Sequence, residues 1–191
     1  MEKDLRHYVR VYKGIVPIEI CNQTINELEF NFANKWEQHK YYNTETDVST
    51  SINGSNELDF NYEQPTTAKI LEETIWKSFQ LYLSELNMSW YNSWQGFESI
   101  RFNRYKENQI MSEHCDHIHT LFSGERKGIP IMTALGSLND NYTGGELIMF
   151  GDENIQLDKG DIVVFPSIFL YPHRVEPVTN GTRYSFVSWA W

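Results

Sequence analysis

The segment His114-Cys115-Asp116-His117-Ile118-His119 packs three imidazoles and a carboxylate into six residues. Imidazole nitrogens and carboxylate oxygens are common donors to a transition metal. On an extended chain, residues i and i+2 project to the same side, so His114 and Asp116 can reach one ion while Cys115 points away. The segment also permits the pairs His117 with His119 and His114 with His117, and local spacing leaves these open. Histidines clustered in a polar stretch are often only solvated side chains.

The distant sequence adds what a metal site would need. FPSIFLYPHRVEPV sets His173 at the end of a strand-like apolar run. Two histidines and a carboxylate on one face of the metal, with the other positions open, are the ligand set of non-haem Fe(II) oxygenases. Ten residues later, NGTRYSFVSW supplies Arg183, with Ser185 on the same side of the strand. A guanidinium grips a carboxylate in a two-pronged pair, and a nearby hydroxyl adds a hydrogen bond. Arg183 alone would read as a surface strand charge; the order and spacing of the whole set carry the inference.

Such a set needs a scaffold. The chain has 191 residues, 40% hydrophobic and 15% aromatic, which suits one domain with a substantial core. YVRVYKGIVP (8–17) alternates like a strand. Residues 17–38 read as a helix, with Ile20, Ile25, Leu28, Phe32 and Trp36 on one face. Residues 39–64 are polar and read as loop. Residues 65–86 form the clearest helix, Pro65 at its start and Ile70, Ile75, Phe79 and Leu83 as its apolar stripe. From residue 97 onward, short β-branched and aromatic runs alternate with Gly, Asn, Asp and Pro, as in an antiparallel sandwich or barrel. The paired glycines of NYTGGEL (141–147) suit a tight reversal at positive φ, and DKGD (158–161) a second one. The expected class is α+β in a single domain, with 1–96 as mostly helical support and loop and 97–191 as the β core.

Composition excludes several partners. The formal net charge is -10, and the 16 Lys and Arg are scattered, so no phosphate-tracking surface and no nucleic-acid partner are expected. Cys21 and Cys115 form no C-x-x-C pair, which removes zinc-finger and thioredoxin readings. The N-terminus is charged, without an apolar leader, and no apolar run is long enough to span a membrane. A soluble cytoplasmic protein without a membrane partner is the expectation.

With H-C-D at 114–116, SLNDNYTGGELIMF at 137–150, DKGDIVVFPS at 158–167 and HRVEPVTNGTRYSFVSW at 173–189, the chain resembles the iron(II)- and 2-oxoglutarate-dependent dioxygenases. It looks closest to the branch related to prolyl 4-hydroxylases, including its short bacterial and phage members. The resemblance covers roughly residues 97–191. It implies a double-stranded β-helix, a jelly-roll and cupin relative, with the helices packed on it. It implies iron ligands at His114, Asp116 and His173, and a 2-oxoglutarate anchor at Arg183 with Ser185. It places Tyr105 against the cosubstrate, Thr133, Leu135 and Ser137 on the strand beside it, and Trp189 as a wall near the metal. His117 and His119 have no general family role; they are candidates for a mouth loop or substrate contact. Ser137 departs from the family, where many relatives carry a tyrosine.

The implied activity is hydroxylation of an unactivated C–H bond with Fe(II), 2-oxoglutarate and O2, releasing succinate and CO2, with ascorbate as a candidate reductant. The carboxylate ligand Asp116 favours hydroxylation over halogenation, in which a small residue replaces it. A prolyl or other amino-acid residue in a peptide or protein is the favoured substrate, and a small free metabolite or amino acid the alternative. A cupin-like module that only holds metal would not need Arg183. A zinc hydrolase would want a general base, and Glu113 has the wrong strand parity. Residues 39–64 and 117–129 are the expected lids, and WYNSWQGF (90–97) a candidate groove wall.

Overall fold

A computed structural model describes residues 4–43, 48–50, 56–88, 96–116 and 128–191. His117, His119, most of the 117–129 segment and most of WYNSWQGF lie outside the described residues. The helices are α1 (Ile18–Phe30) and α2 (Ala68–Glu85). The strands before residue 97 are β1 (Arg10–Tyr12), β2 (Glu37–Gln38), β3 (Tyr41–Asn43), β4 (Val48–Thr50) and β5 (Asp59–Asn61). Those after it are β6 (Arg101–Tyr105), β7 (Met111–His114), β8 (Met132–Ser137), β9 (Thr143–Gly144), β10 (Leu147–Met149), β11 (Glu153–Asn154), β12 (Ile162–Pro166), β13 (His173–Val175), β14 (Val178–Asn180) and β15 (Arg183–Ala190).

Two antiparallel sheets form the jelly-roll. The larger runs β1-β12-β8-β15-β6-β5-β2, the smaller β11-β10-β13-β7. Strand parity sorts side chains between two cores. On β15, Phe186 and Ala190 face the helices, where they pack with Leu71, Ile75, Phe79 and Tyr82 of α2. The alternate residue Val187 faces the smaller sheet and joins Leu135, Val163 and Phe165 against Met149 and Val175. The order is therefore helices, larger sheet, smaller sheet.

The N-terminal half departs from expectation in four places. The strand expected over 8–17 is confined to Arg10–Tyr12, because Leu5–Tyr8 is a 3-10 turn and Gly14 turns the chain at φ 57°. The helix expected over 17–38 stops at Phe30; Ala33–Lys35 form a 3-10 turn and Glu37–Gln38 join the sheet. Asn31 and Asn34 are poor helix formers, and Trp36 instead stacks on the Arg104 guanidinium, 4.4 Å from its ring centroid. Residues 39–64 contain three short strands, of which β5 pairs with β6, so the larger sheet draws β1, β2 and β5 from the half expected to be helix and loop. Ile70 is 40% exposed; the buried stripe of α2 is Leu71, Ile75, Phe79 and Tyr82, spaced by three and four residues as a 3.6-residue period requires.

The glycine pair behaves as expected. Gly144 and Gly145 have φ of 74° and 68°, and a Cβ on Gly144 would lie 2.3 Å from the Pro177 carbonyl oxygen. Gly145 backs directly on Arg183, since a Cβ there would stand 3.0 Å from its Cδ.

Candidate active site

β7 and β13 pair so that His114 and His173 stand directly opposite each other. Asp116 follows two residues beyond β7 and is 9% exposed. Its Oδ1 lies 3.5 Å from His114 Nε2 and 3.8 Å from His173 Nε2. One donor atom from each of the three residues falls within 4.8 Å of the others, close enough for one ion to touch all three.

The hydrogen bonds fix the chemistry of the donors. His114 Nδ1 meets the Ser112 carbonyl at 2.8 Å, and His173 Nδ1 meets the Tyr171 carbonyl at 3.1 Å. A carbonyl only accepts, so each Nδ1 carries the proton and each Nε2 presents its lone pair. Burial pushes the Asp116 carboxyl up, but its interactions with the His173 and His114 rings and the Thr133 hydroxyl outweigh it and hold the group well below the usual carboxylate range. His173 is pushed down to about 4, by burial first and then by His114, against the opposing pull of Asp116. An ionised carboxylate beside a neutral imidazole is the state in which metal ligands bind.

Thr133 is fully buried and donates to Asp116 Oδ2 at 2.7 Å. With its proton so committed, it accepts from Ser167 Oγ at 2.7 Å. Thr133 thus supports the carboxylate from behind, and Leu135 is the β8 residue that reaches the cleft. Ser137 is buried and bonds the Asn139 carbonyl. Cys115 turns aside to the Phe169 carbonyl, and Glu113 is solvent-facing and paired with Arg174, as strand parity requires.

The donors open into a narrow cleft continuous with solvent. Tyr105, Leu135, Val187 and Trp189 line it beside the triad. Arg183 lies beneath Tyr105, 2% exposed, with its guanidinium 4.8 Å from that ring's centroid. Its Nη1 donates to Ser185 Oγ at 3.2 Å, whereas Nε is buried without a hydrogen-bond partner. Among the described residues no carboxylate pairs with it. A buried guanidinium with an idle donor is costly unless an anion completes it. The residues present therefore fit a divalent metal at the triad and a carboxylate at Arg183.

Arg101, Asn103 and Met111 also line the cleft and were not singled out by sequence. The signal for the first two was available, because they share strand parity with Tyr105 on β6. Glu57 offered no such signal. It is fully buried, accepts from the Ser112 N–H at 3.2 Å and bonds the Ser112 hydroxyl, so it fixes the residue whose carbonyl holds His114.

Residues 100–191 match the model of the 2OG-Fe(II) oxygenase superfamily. A PKHD-type hydroxylase of Idiomarina loihiensis is 36% identical over 93 residues, 47% of this chain and 40% of that protein. One from Xylella fastidiosa is 39% identical over 101 residues, 47% of this chain and 42% of that protein. The chain thus spans about two fifths of the length of these relatives. A prolyl-4-hydroxylase structure from Pseudomonas putida aligns at TM-score 0.67 and 18% identity, covering 96% of this chain and 91% of that one. A prolyl hydroxylase from Trichoplax adhaerens, in complex with a hypoxia inducible factor peptide fragment, aligns at TM-score 0.69 and 15% identity, covering 96% and 83%. At these identities the structures establish the shared jelly-roll fold.

Proposed function

We propose that this chain hydroxylates a prolyl or other amino-acid residue of a peptide or protein, using Fe(II), 2-oxoglutarate and O2, a reading supported by the match of residues 100–191 to the model of the 2OG-Fe(II) oxygenase superfamily. The observation that carries this reading is the pairing of two imidazoles and a carboxylate, both Nε2 atoms turned toward that carboxylate, with a buried arginine that lacks a carboxylate partner among the described residues. The peptide class is supported by the Trichoplax enzyme, whose structure holds a peptide.

His114, Asp116 and His173 hold the iron. Bound Fe(II) with 2-oxoglutarate supplies the oxidation of an unactivated C–H bond by dioxygen, with release of succinate and CO2. The protein's own part is placement. Arg183 and Ser185 fix the far carboxylate of 2-oxoglutarate, Tyr105 covers the Arg183 guanidinium, and Leu135 and Trp189 wall the cleft against water. Thr133 keeps the Asp116 carboxylate oriented, and the backbone carbonyls of Ser112 and Tyr171 keep both imidazoles in the binding tautomer.

An anaerobic titration tests the reading. Iron-loaded protein develops a weak visible charge-transfer band that saturates with 2-oxoglutarate. Arg183→Ala needs at least about 30-fold more 2-oxoglutarate, as loss of one partner of a buried charge-assisted pair costs about 2 kcal/mol or more. A wild type that holds iron but gives no band would leave a metal-holding module as the better description.

A further inference from the structure

Arg101 faces the same cleft as the triad, at the opposite end of the inner face of β6 from Tyr105. Six arginines lie among the described residues. Arg6, Arg10, Arg104 and Arg174 each pair with a carboxylate. Among the described residues, Arg101 and Arg183 pair with none. In a chain with 26 acidic and 16 basic residues, two arginines without a carboxylate beside one cleft mark it as a place for anionic groups.

Arg101 is held ready rather than loose. Its Nε donates to Asn103 Oδ1 at 3.1 Å, and its guanidinium lies 5.1 Å from the Trp189 ring centroid. A guanidinium stacked on an aromatic face and tethered at Nε keeps its two Nη groups for a planar acceptor, the geometry that matches a carboxylate.

The two arginines answer different carboxylates. Arg183 registers with Tyr105 and Val187 with Arg101, so their backbone positions are four residues apart along the strands, about 13 Å. A five-carbon dicarboxylate that engages Arg183 at one end and the triad at the other has no carboxylate left for Arg101.

We propose that Arg101, steadied by Asn103 and Trp189, binds a carboxylate of the substrate, so that the hydroxylated residue is flanked by an acidic side chain or by a free chain-terminal carboxylate. This rests on the reading of Arg183 and the triad given above.

The test uses the 191-residue chain loaded with Zn(II) and 2-oxoglutarate, which binds without turnover, and isothermal titration with three peptides. One is Ala-Ala-Pro-Ala-Ala with both ends blocked, one is blocked Ala-Ala-Pro-Glu-Ala, and one is Ala-Ala-Pro with a free C-terminus. Wild type binds one acidic peptide at least about tenfold tighter than the neutral one, and Arg101→Gln removes the difference while its affinity for 2-oxoglutarate stays the same. Which acidic peptide wins tells a side-chain carboxylate from a terminal one. Equal binding of all three, preference that survives in Arg101→Gln, binding of none, or weakened 2-oxoglutarate binding in the variant overturns the proposal. A wild type that takes up no 2-oxoglutarate in the preceding titration overturns the oxygenase reading itself, and so is told apart from failure of Arg101 alone.

Discussion

His114 and His173 face each other across two antiparallel strands with ring centroids 4.4 Å apart, and each turns Nδ1 to the carbonyl oxygen two residues earlier in the chain. The same local bond is made twice, once on each strand. It fixes both tautomers through the backbone, so no side chain has to be supplied to orient either ring. The side-chain support goes to Asp116 and to Ser112.

At Asp116, Thr133→Val keeps the shape of the supporting side chain and removes the hydroxyl that serves the carboxylate and meets Ser167. Loss of such an outer partner lowers metal affinity by about 10- to 100-fold. Competition with a coloured chelator measures it, and circular dichroism checks that the fold is kept. Unchanged affinity would mean that Asp116 is oriented by its own backbone.

Glu57 holds Ser112, whose carbonyl meets His114. Glu57→Gln exchanges a charged acceptor for a neutral one against the Ser112 N–H and hydroxyl. A lost charge-assisted bond costs about 1.5–3 kcal/mol, to be read as a lower urea midpoint. Because Ser112 holds His114, metal affinity falls along with stability, whereas Phe79→Ala, in the core beneath the helices, lowers the midpoint through a cavity costing about 3–5 kcal/mol and leaves metal affinity as it was. Parallel losses of both properties in both variants would reduce Glu57 to a packing role.

Acid should weaken the metal-free protein through His173. Its folded value is about 4 against an ordinary 6.5. Between these values the unfolded chain binds the extra proton and the folded one does not, so stability falls as pH falls through that window. The melting temperature of the metal-free protein therefore declines from pH 6.5 toward pH 4, and His173→Gln removes part of the slope. An identical slope in that variant would assign the decline to other groups.

The site residues that sequence could reach are those with a strand parity or a turn to announce them. His114 with Asp116 follows the i, i+2 rule, and Arg183 with Ser185 repeats it on β15. Asn103 and Arg101 obey the same rule relative to Tyr105. Glu57 was not legible, since it sits in an isolated bridge to Ile110 within a polar stretch whose strands are three residues long, too short for a period of two to stand out. The end of α1 was hidden because Trp36 serves a distant arginine, and tertiary contacts outrank helical periodicity there. On α2 the error was one of phase, since Ile70 and Leu71 are both apolar and only packing against β8 and β12 selects Leu71.

The two ends of the site belong to different sheets. His114 and His173 stand on the smaller sheet, with Asp116 just past its edge strand, while Arg183 stands on the larger. The gap between them is set by the side chains that fill the sandwich, Leu135, Val163, Phe165 and Val187 against Met149 and Val175. The core of the jelly-roll therefore works as a calliper. A trimmed or enlarged residue at its centre moves the jaws, and with them the distance between the triad and the Arg183 guanidinium.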